Sequence, residues 1–237
     1  MFISELFTPT LAEGLHDTNI FKAVFVVGPP GAGKDTVISA LDLTNQLKSI
    51  DIDDVIYRLK NIQQQKHRTE LTPGYNQQTY DIVNKRQSLW VQNYLGLLLN
   101  QTGRNYELIA DTNRMLLDAG YSTYMIFINT EEEMAFTRVN DRVNTDLLPG
   151  QKNKDIGRTV DEPYFDKTYK AVQQNRVMFS LLFGKNFAYI DNSEELSPAD
   201  LRAEVAQVRR KVAAFLAAPL SGKALSITSR IAPKRTT

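Results

Sequence analysis

The chemistry most legible in this sequence lies between Val24 and Thr36, which read Val-Phe-Val-Val-Gly-Pro-Pro-Gly-Ala-Gly-Lys-Asp-Thr. Gly28, Pro29, Gly31, Ala32 and Gly33 make a glycine-rich turn that ends in Lys34, and Asp35 and Thr36 open an amphipathic stretch. Glycines let backbone N–H groups converge on phosphate oxygens without Cβ clashes. A helix starting there adds free N–H groups and a partial positive charge. Lys34 places an ammonium on the outer phosphates. The competing reading is an ordinary tight turn. It leaves the preceding apolar run, the additional glycine at Gly31 and the following helix unexplained, so the stretch reads as a phosphate cradle.

One departure from the strict motif matters. A Ser or Thr normally follows the lysine and holds magnesium; here Asp35 stands in that place and Thr36 comes one later. The order Gly-Lys-x-Thr resembles that of nucleoside monophosphate kinases. A carboxylate suits a helix N-terminus but repels phosphate unless a cation intervenes. Asp35 is therefore a candidate metal ligand, expected to face water or a magnesium-bound water rather than a phosphate oxygen.

Two further groups have binding-type chemistry. Gln46 to Ile52 reads as a second strand ending in Asp51, Asp53 and Asp54, with a helix containing Arg58 to follow. Ligands of open α/β sheets bind at the carboxyl ends of strands. Capping of the next helix explains one of these acids well and three poorly. Leu89 to Leu99 reads as a helix and Tyr106 to Ala110 as a third strand, running into Asp111, Thr112 and Asn113. Acid, hydroxyl and amide in a row at a strand's end suit substrate binding; the alternative is a cap for a helix over Met115 to Ala119.

The elements that must position these groups alternate. Ala23 to Val27 is the first strand, Tyr121 to Ile128 the fourth and Phe187 to Ile190 the fifth, ending in Asp191-Asn192. Thr130 to Glu133 is a capping box for a helix that carries Arg138 and Arg142 on one face. Asn140 to Lys154 is loop-like, Gly157-Arg158 follows, and Pro163 to Phe183 is a long amphipathic helix. The last helix starts at Ser197-Pro198 and keeps a 3.6-residue apolar period through Leu201, Val205, Val208 and Val212. Five strand–helix alternations predict an α/β fold, a parallel sheet with helices on both faces and right-handed crossovers. The expected organisation is a lead-in over 1–20, one domain over 21–218 and a disordered basic tail over 219–237. Asn61 to Asn84 is glutamine-rich and polar, read as a solvated helical hairpin or a segment covering substrate, with Pro73-Gly74 marking a turn. His67 lies there without a partner at ligand spacing and reads as a surface residue.

Composition narrows the function classes. A net charge of +1 argues against a whole-surface nucleic-acid footprint, though a local patch stays open. The chain has no cysteine, which excludes disulfides, thiolate metal sites and cysteine catalysis and fits a reducing, cytoplasmic setting. No apolar run reaches membrane-spanning length, and the N-terminus lacks the pattern of a secretory signal. Leu11-Ala12-Glu13-Gly14 resembles the Leu-x-Glu sites cut by prohead proteases of tailed phages, which would make the lead-in a processed peptide and place the protein in a host cytoplasm or a virion.

Taken together, Gly28 to Lys34, the acids after strand two, Asp111-Thr112-Asn113, Arg138, Arg142 and Gly157-Arg158 resemble, in this order, P-loop kinases of the zeta-toxin and polynucleotide 5′-kinase type. The resemblance covers about residues 21–192 and implies a P-loop NTPase fold with a five-stranded sheet in 2-3-1-4-5 order. It implies ATP and Mg²⁺ as cofactors and a hydroxyl-bearing acceptor: a nucleotide, a nucleic acid or a nucleotide sugar. It places a general base at Asp53, an acceptor-binding acid and amide at Asp111 and Asn113, and an arginine lid at Arg138, Arg142 and Arg158; Asp51, Arg58 and Thr112, beside these groups, are further candidates for acceptor binding. Two other functions compete: a nucleoside monophosphate kinase, and a phage virion protein that binds NTP without turnover.

Overall fold

The computed structural model describes residues 17–52, 55, 73–144, 161–193 and 198–231. The chain runs β1 (Lys22–Val27), α1 (Lys34–Ala40), β2 (Lys48–Ile50), α2 (Pro73–Gln92), β3 (Leu97–Gln101), α3 (Tyr106–Asp118) and β4 (Ser122–Asn129). It continues through α4 (Glu132–Asn144), α5 (Glu162–Phe183), a single 3₁₀ turn (Gly184–Asn186), β5 (Phe187–Asp191), α6 (Pro198–Ala217) and α7 (Gly222–Ile231).

The five strands form one parallel sheet in the order β2-β3-β1-β4-β5, as the resemblance implies. All six residues of β1 are buried, because β1 is central and helices cover both of its faces. Alternation of side chains then splits the core in two. Val24 and Val26 pack with α1 and α6 through Val37, Ile38, Val208, Val212 and Phe215. Ala23, Phe25 and Val27 pack with α3 and α5 through Ile109, Leu116, Val172 and Phe179.

Two expectations need correction. The third strand is Leu97–Gln101, and Tyr106–Asp118 is a helix. Both stretches are short and apolar, and periodicity alone does not separate a buried strand from a helix segment at that length. The local stop signal is Tyr94, at φ 61, with Gly96 behind it. A Cβ on Gly96 would lie 2.7 Å from the carbonyl oxygen of Asn19, so only a glycine lets the backbone pass so close to the start of the first strand. Pro73-Gly74, read as a turn, opens α2, where a proline is tolerated in the first helical turn. The second correction is at the C-terminus. Gly222–Ile231 is a helix, with Ala224 fully buried, in a stretch read as a disordered tail. Ser221 caps it: its hydroxyl accepts from the Ala224 N–H at 3.1 Å and donates to the Gly120 carbonyl at 2.7 Å. Among the described residues no single helix is long and apolar enough to cross a membrane.

Candidate active site

The glycine-rich turn joins β1 to α1 at the carboxyl edge of the sheet. Gly31 and Gly33 sit at φ +78 and +81, a conformation other residues reach only with strain. Packing demands glycine as well. A Cβ on Gly28 would lie 2.3 Å from the Ile128 carbonyl oxygen, and one on Gly31 2.2 Å from that of Ala135. One on Gly33 would lie 2.5 Å from Nδ2 of Asn192. The turn is thus clamped by the end of β4, by α4 and by the residue after β5. Pro29 accepts from the buried Ala32 N–H at 3.2 Å, which closes the turn. No side chain caps α1, so its first N–H groups face an anion site unshielded. Lys34 Nζ donates to the carbonyls of Gly28 at 2.9 Å and Pro29 at 3.0 Å, which holds the ammonium across the cradle. Asp35 and Thr36 are exposed on the first turn of α1.

Beside the cradle lies a cluster the sequence reading missed. Asn100, in the last turn of residues of β3, pairs in register with Val26 of β1. Its Nδ2 donates to Asp35 Oδ1 at 3.2 Å and to Asp51 Oδ2 at 3.4 Å. Asp51 directly follows β2. One amide therefore stands between two carboxylates from separate elements. The side-chain oxygens of Asn100 and Gln101 are buried and have no hydrogen-bond partner among the described residues. Buried unpartnered acceptors at a strand's carboxyl end call for a donor, such as a hydroxyl or a water. Two carboxylates and two amide oxygens are also hard oxygen donors of the kind magnesium takes, usually with waters retained. The donor set thus fits the metal. The signal was present in the sequence as Asn100-Gln101-Thr102-Gly103, but there it read as the end of a helix.

Asp111, Thr112 and Asn113 do not stand at a strand's end. They lie on α3, five to seven residues beyond its start at Tyr106, which at 1.5 Å per residue is about 8–10 Å back along the sheet. Asp111 pairs with Arg114 on the surface, and the Thr112 hydroxyl donates to the Leu108 carbonyl at 2.7 Å. Asn113 is buried on the helix face toward the core, its side-chain oxygen unpartnered among the described residues. The structure does not bring these three to the cradle.

Arg138 projects from α4 into the frame. Its Nη1 donates to the Thr130 hydroxyl at 3.2 Å and to the Asn192 carbonyl at 3.0 Å. Thr130 is fully buried and donates to the same carbonyl at 2.8 Å. Asn192 in turn donates from Nδ2 to the Ala32 carbonyl at 2.9 Å. Arg138 was expected on a lid; in the described residues it is hydrogen-bonded to the residue that clamps the phosphate loop. Arg142 lies on the same helix, and its side chain is outside the described residues, as are Asp53, Asp54, Arg58 and Arg158. Asp191, next to Asn192, is exposed, and partial desolvation by its neighbours tends to raise its carboxyl pKa. Hydrogen bonds from Ser193, Tyr189 and Asn129 outweigh that and hold it below the ordinary carboxylate value.

A phosphate loop between the first strand and first helix of a 2-3-1-4-5 parallel sheet, with the Asp51 carboxylate directly after β2, defines a class: the P-loop NTPase fold. The model of the zeta-toxin family matches residues 13–195, and the chain belongs to that family. Solved structures share the fold at low identity. The AvrRxo1-ORF1:-ORF2 complex with ATP contains a chain 12% identical, at a TM-score of 0.58 over 77% of this chain and 57% of that one. This chain therefore spans somewhat over half the length of that relative. A candidate kinase from Chloroflexus aurantiacus is 14% identical, at a TM-score of 0.51 over 80% of this chain and 97% of that one. A chain of the PezAT chromosomal toxin–antitoxin system of Streptococcus pneumoniae is 16% identical, at a TM-score of 0.51 over 86% and 89%. No curated protein sequence matches the chain.

Proposed function

We propose that this P-loop kinase moves the γ-phosphate of ATP to a hydroxyl group of a nucleotide, a nucleic acid or a nucleotide sugar. The observation that carries this reading is the pair of carboxylates, Asp35 and Asp51, joined by the Asn100 amide beside the phosphate loop. Two negative charges there oppose a phosphate acceptor, because like charges raise each other's energy. They do not oppose a neutral hydroxyl. The arrangement therefore favours hydroxyl phosphorylation over a nucleoside monophosphate kinase.

A transferring phosphoryl group spreads negative charge over its oxygens, so catalysis rests on positioning and electrostatic stabilisation. The N–H groups of Gly31 to Asp35 hold the donor phosphates, and Lys34 leaves its loop carbonyls to neutralise them. Magnesium, when bound with ATP, would screen the phosphate charge; Asp35 and Asp51 would hold it through its bound waters. Asn100 keeps the two carboxylates apart and aimed at the cradle. Asp53 accepts the proton of the acceptor hydroxyl, a role taken from the family resemblance, and Asp51 lies two residues before it. Arg158 and Arg142 serve as lid cations in the same reading.

The test is incubation with γ-labelled ATP and a panel of nucleoside monophosphates, nucleotide sugars and oligonucleotides with 5′-hydroxyl ends. Label should appear on a hydroxyl of one class and vanish in Lys34→Ala. Label on the phosphate of a nucleoside monophosphate would make it a monophosphate kinase. Tight ATP binding with no transfer to any acceptor would leave only the NTP-binding virion role.

A further inference from the structure

At the amino ends of the strands lies an open depression of about 500 Å³ that the kinase chemistry does not use. It lies at the far end of β1 from the phosphate loop, about 20 Å away for six residues at roughly 3.3 Å each. Its walls include Lys22 of β1, Tyr124 of β4, Lys185 and Asn186 of the 3₁₀ turn, and Lys211 and Phe215 of α6. Three of the lining residues are lysines and none is acidic.

Lys22 is the central oddity, a lysine only 2% exposed. Its Nζ donates to the Ala218 carbonyl at 2.8 Å and lies 5.1 Å from the centre of the Phe215 ring. Those contacts make it a cap on the end of α6. That role uses one of its three N–H donors and supplies no counter-charge. A buried ammonium without a carboxylate is costly, and burial accordingly pulls the Lys22 pKa below its ordinary value. Capping also leaves Lys185 and Lys211 unexplained; both are exposed and neither forms an ion pair among the described residues. Tyr124 is 3% exposed, and its hydroxyl is buried without a partner among the described residues. A wall with three cations, an unpartnered hydroxyl and an aromatic face lacks an anion.

We propose that this cavity binds a phosphorylated small molecule, its phosphate against the ammonium groups of Lys22, Lys185 and Lys211 and its apolar part against Phe215 and Tyr124. Three cations suit a phosphate dianion better than a single carboxylate, and lysine serves phosphate well as a point charge. The volume falls in the range of small-molecule sites. The assignment is independent of the acceptor chosen at the other edge of the sheet.

The experiment is calorimetric titration of phenyl phosphate into protein whose phosphate loop is saturated with a non-hydrolysable ATP analogue. One equivalent should bind. The double variant Lys185→Ala/Lys211→Ala, both exposed positions, should weaken that binding by at least about tenfold. Lys223→Ala, a surface lysine outside the cavity, should leave it unchanged. Lys22→Met should weaken it further; if that variant fails to fold, the double variant alone decides. The proposal is overturned if no phenyl phosphate binds once the phosphate loop is saturated, or if Lys223→Ala weakens binding as much as the double variant does. It is also overturned if the basic patch takes up anionic lipid vesicles but not phenyl phosphate.

Discussion

At the carboxyl edge of the sheet the side chains keep hydrogen-bonding capacity in reserve, whereas at the amino edge most of it is tied into the frame. Asn100 and Gln101 hold buried oxygens without partners, and the first turn of α1 has no side-chain cap. At the other edge, the buried Tyr121 hydroxyl donates to the Leu95 carbonyl at 2.9 Å, and burial followed by the nearby Tyr94 pushes its pKa up. Asn186 donates to the Thr123 carbonyl at 3.0 Å and Phe21 stacks on Tyr94 at 4.6 Å. The amino edge stores stability and the carboxyl edge stores chemistry, with the lysine-lined cavity as the exception at the amino edge. The lesson is that unpartnered polar groups point to a ligand only where they stand beside other binding groups, as Asn100 and Gln101 do near the phosphate loop and the buried Asn113 does not.

The largest expected effect tests the chemistry directly. Asp53→Asn keeps the shape of the side chain and its capacity to cap a helix but cannot take a proton. Transfer should fall by about 10² to 10⁴-fold, roughly 3–5 kcal/mol of barrier, with ATP binding and melting temperature unchanged. Near-normal transfer would move the base to Asp51 or Asp54.

Gly31→Ala should come next, through structure rather than chemistry. Left-handed strain and overlap with the Ala135 carbonyl together predict a loss of about 2–5 kcal/mol. Gly222→Ala, where a Cβ meets nothing within 4 Å, should stay within about 0.5 kcal/mol. Thermal melts of the two variants side by side check the contrast; equal losses would mean the phosphate loop is not clamped.

Arg138→Ala separates brace from lid. It removes charged hydrogen bonds to Thr130 and Asn192, worth about 1.5–3 kcal/mol together at the handling of a charged donor. Urea unfolding should show that loss, and turnover per folded molecule should change little. Unchanged stability with strongly reduced turnover would restore the lid role.

Asp35→Asn should shift ATP affinity by less than about tenfold, or 1.4 kcal/mol, because the residue is held by Asn100 to the side of the cradle. A far larger loss in a fluorescence titration would make Asp35 an obligatory direct ligand of the nucleotide's metal. The smallest effect concerns Asp191. Its folded pKa is depressed, so its contribution is fully present above the unfolded carboxyl value of about 3.9 and is lost as pH falls through the lower folded value. Asp191→Asn should therefore be slightly less stable than wild type at neutral pH, the gap closing in acid. Urea midpoints measured from pH 7 down to pH 2 check this, and a gap that widens in acid would contradict it.

What the sequence determined by itself is the local chemistry of the phosphate loop and the alternation of elements. Three glycines, a lysine and a buried apolar strand are contiguous, and their function follows from backbone geometry that neighbours need not supply. The family resemblance added the sheet order, which the structure bears out. Tertiary structure decided the rest. Leu97–Leu99 is a strand because it pairs between β1 and β2, a fact no window of sequence contains, and that pairing moves the strand's end from Asp111 to Asn100. Arg138, expected on a lid, is tied to the frame because Asn192, distant in sequence, meets it in space beside Thr130. Lys22, which no sequence pattern singled out, is a buried cation because the end of α6 lies over the amino end of the sheet and presents Phe215 and Ala218 to it. In each case the residue type set what the group could do, and long-range packing set what was left for it to do.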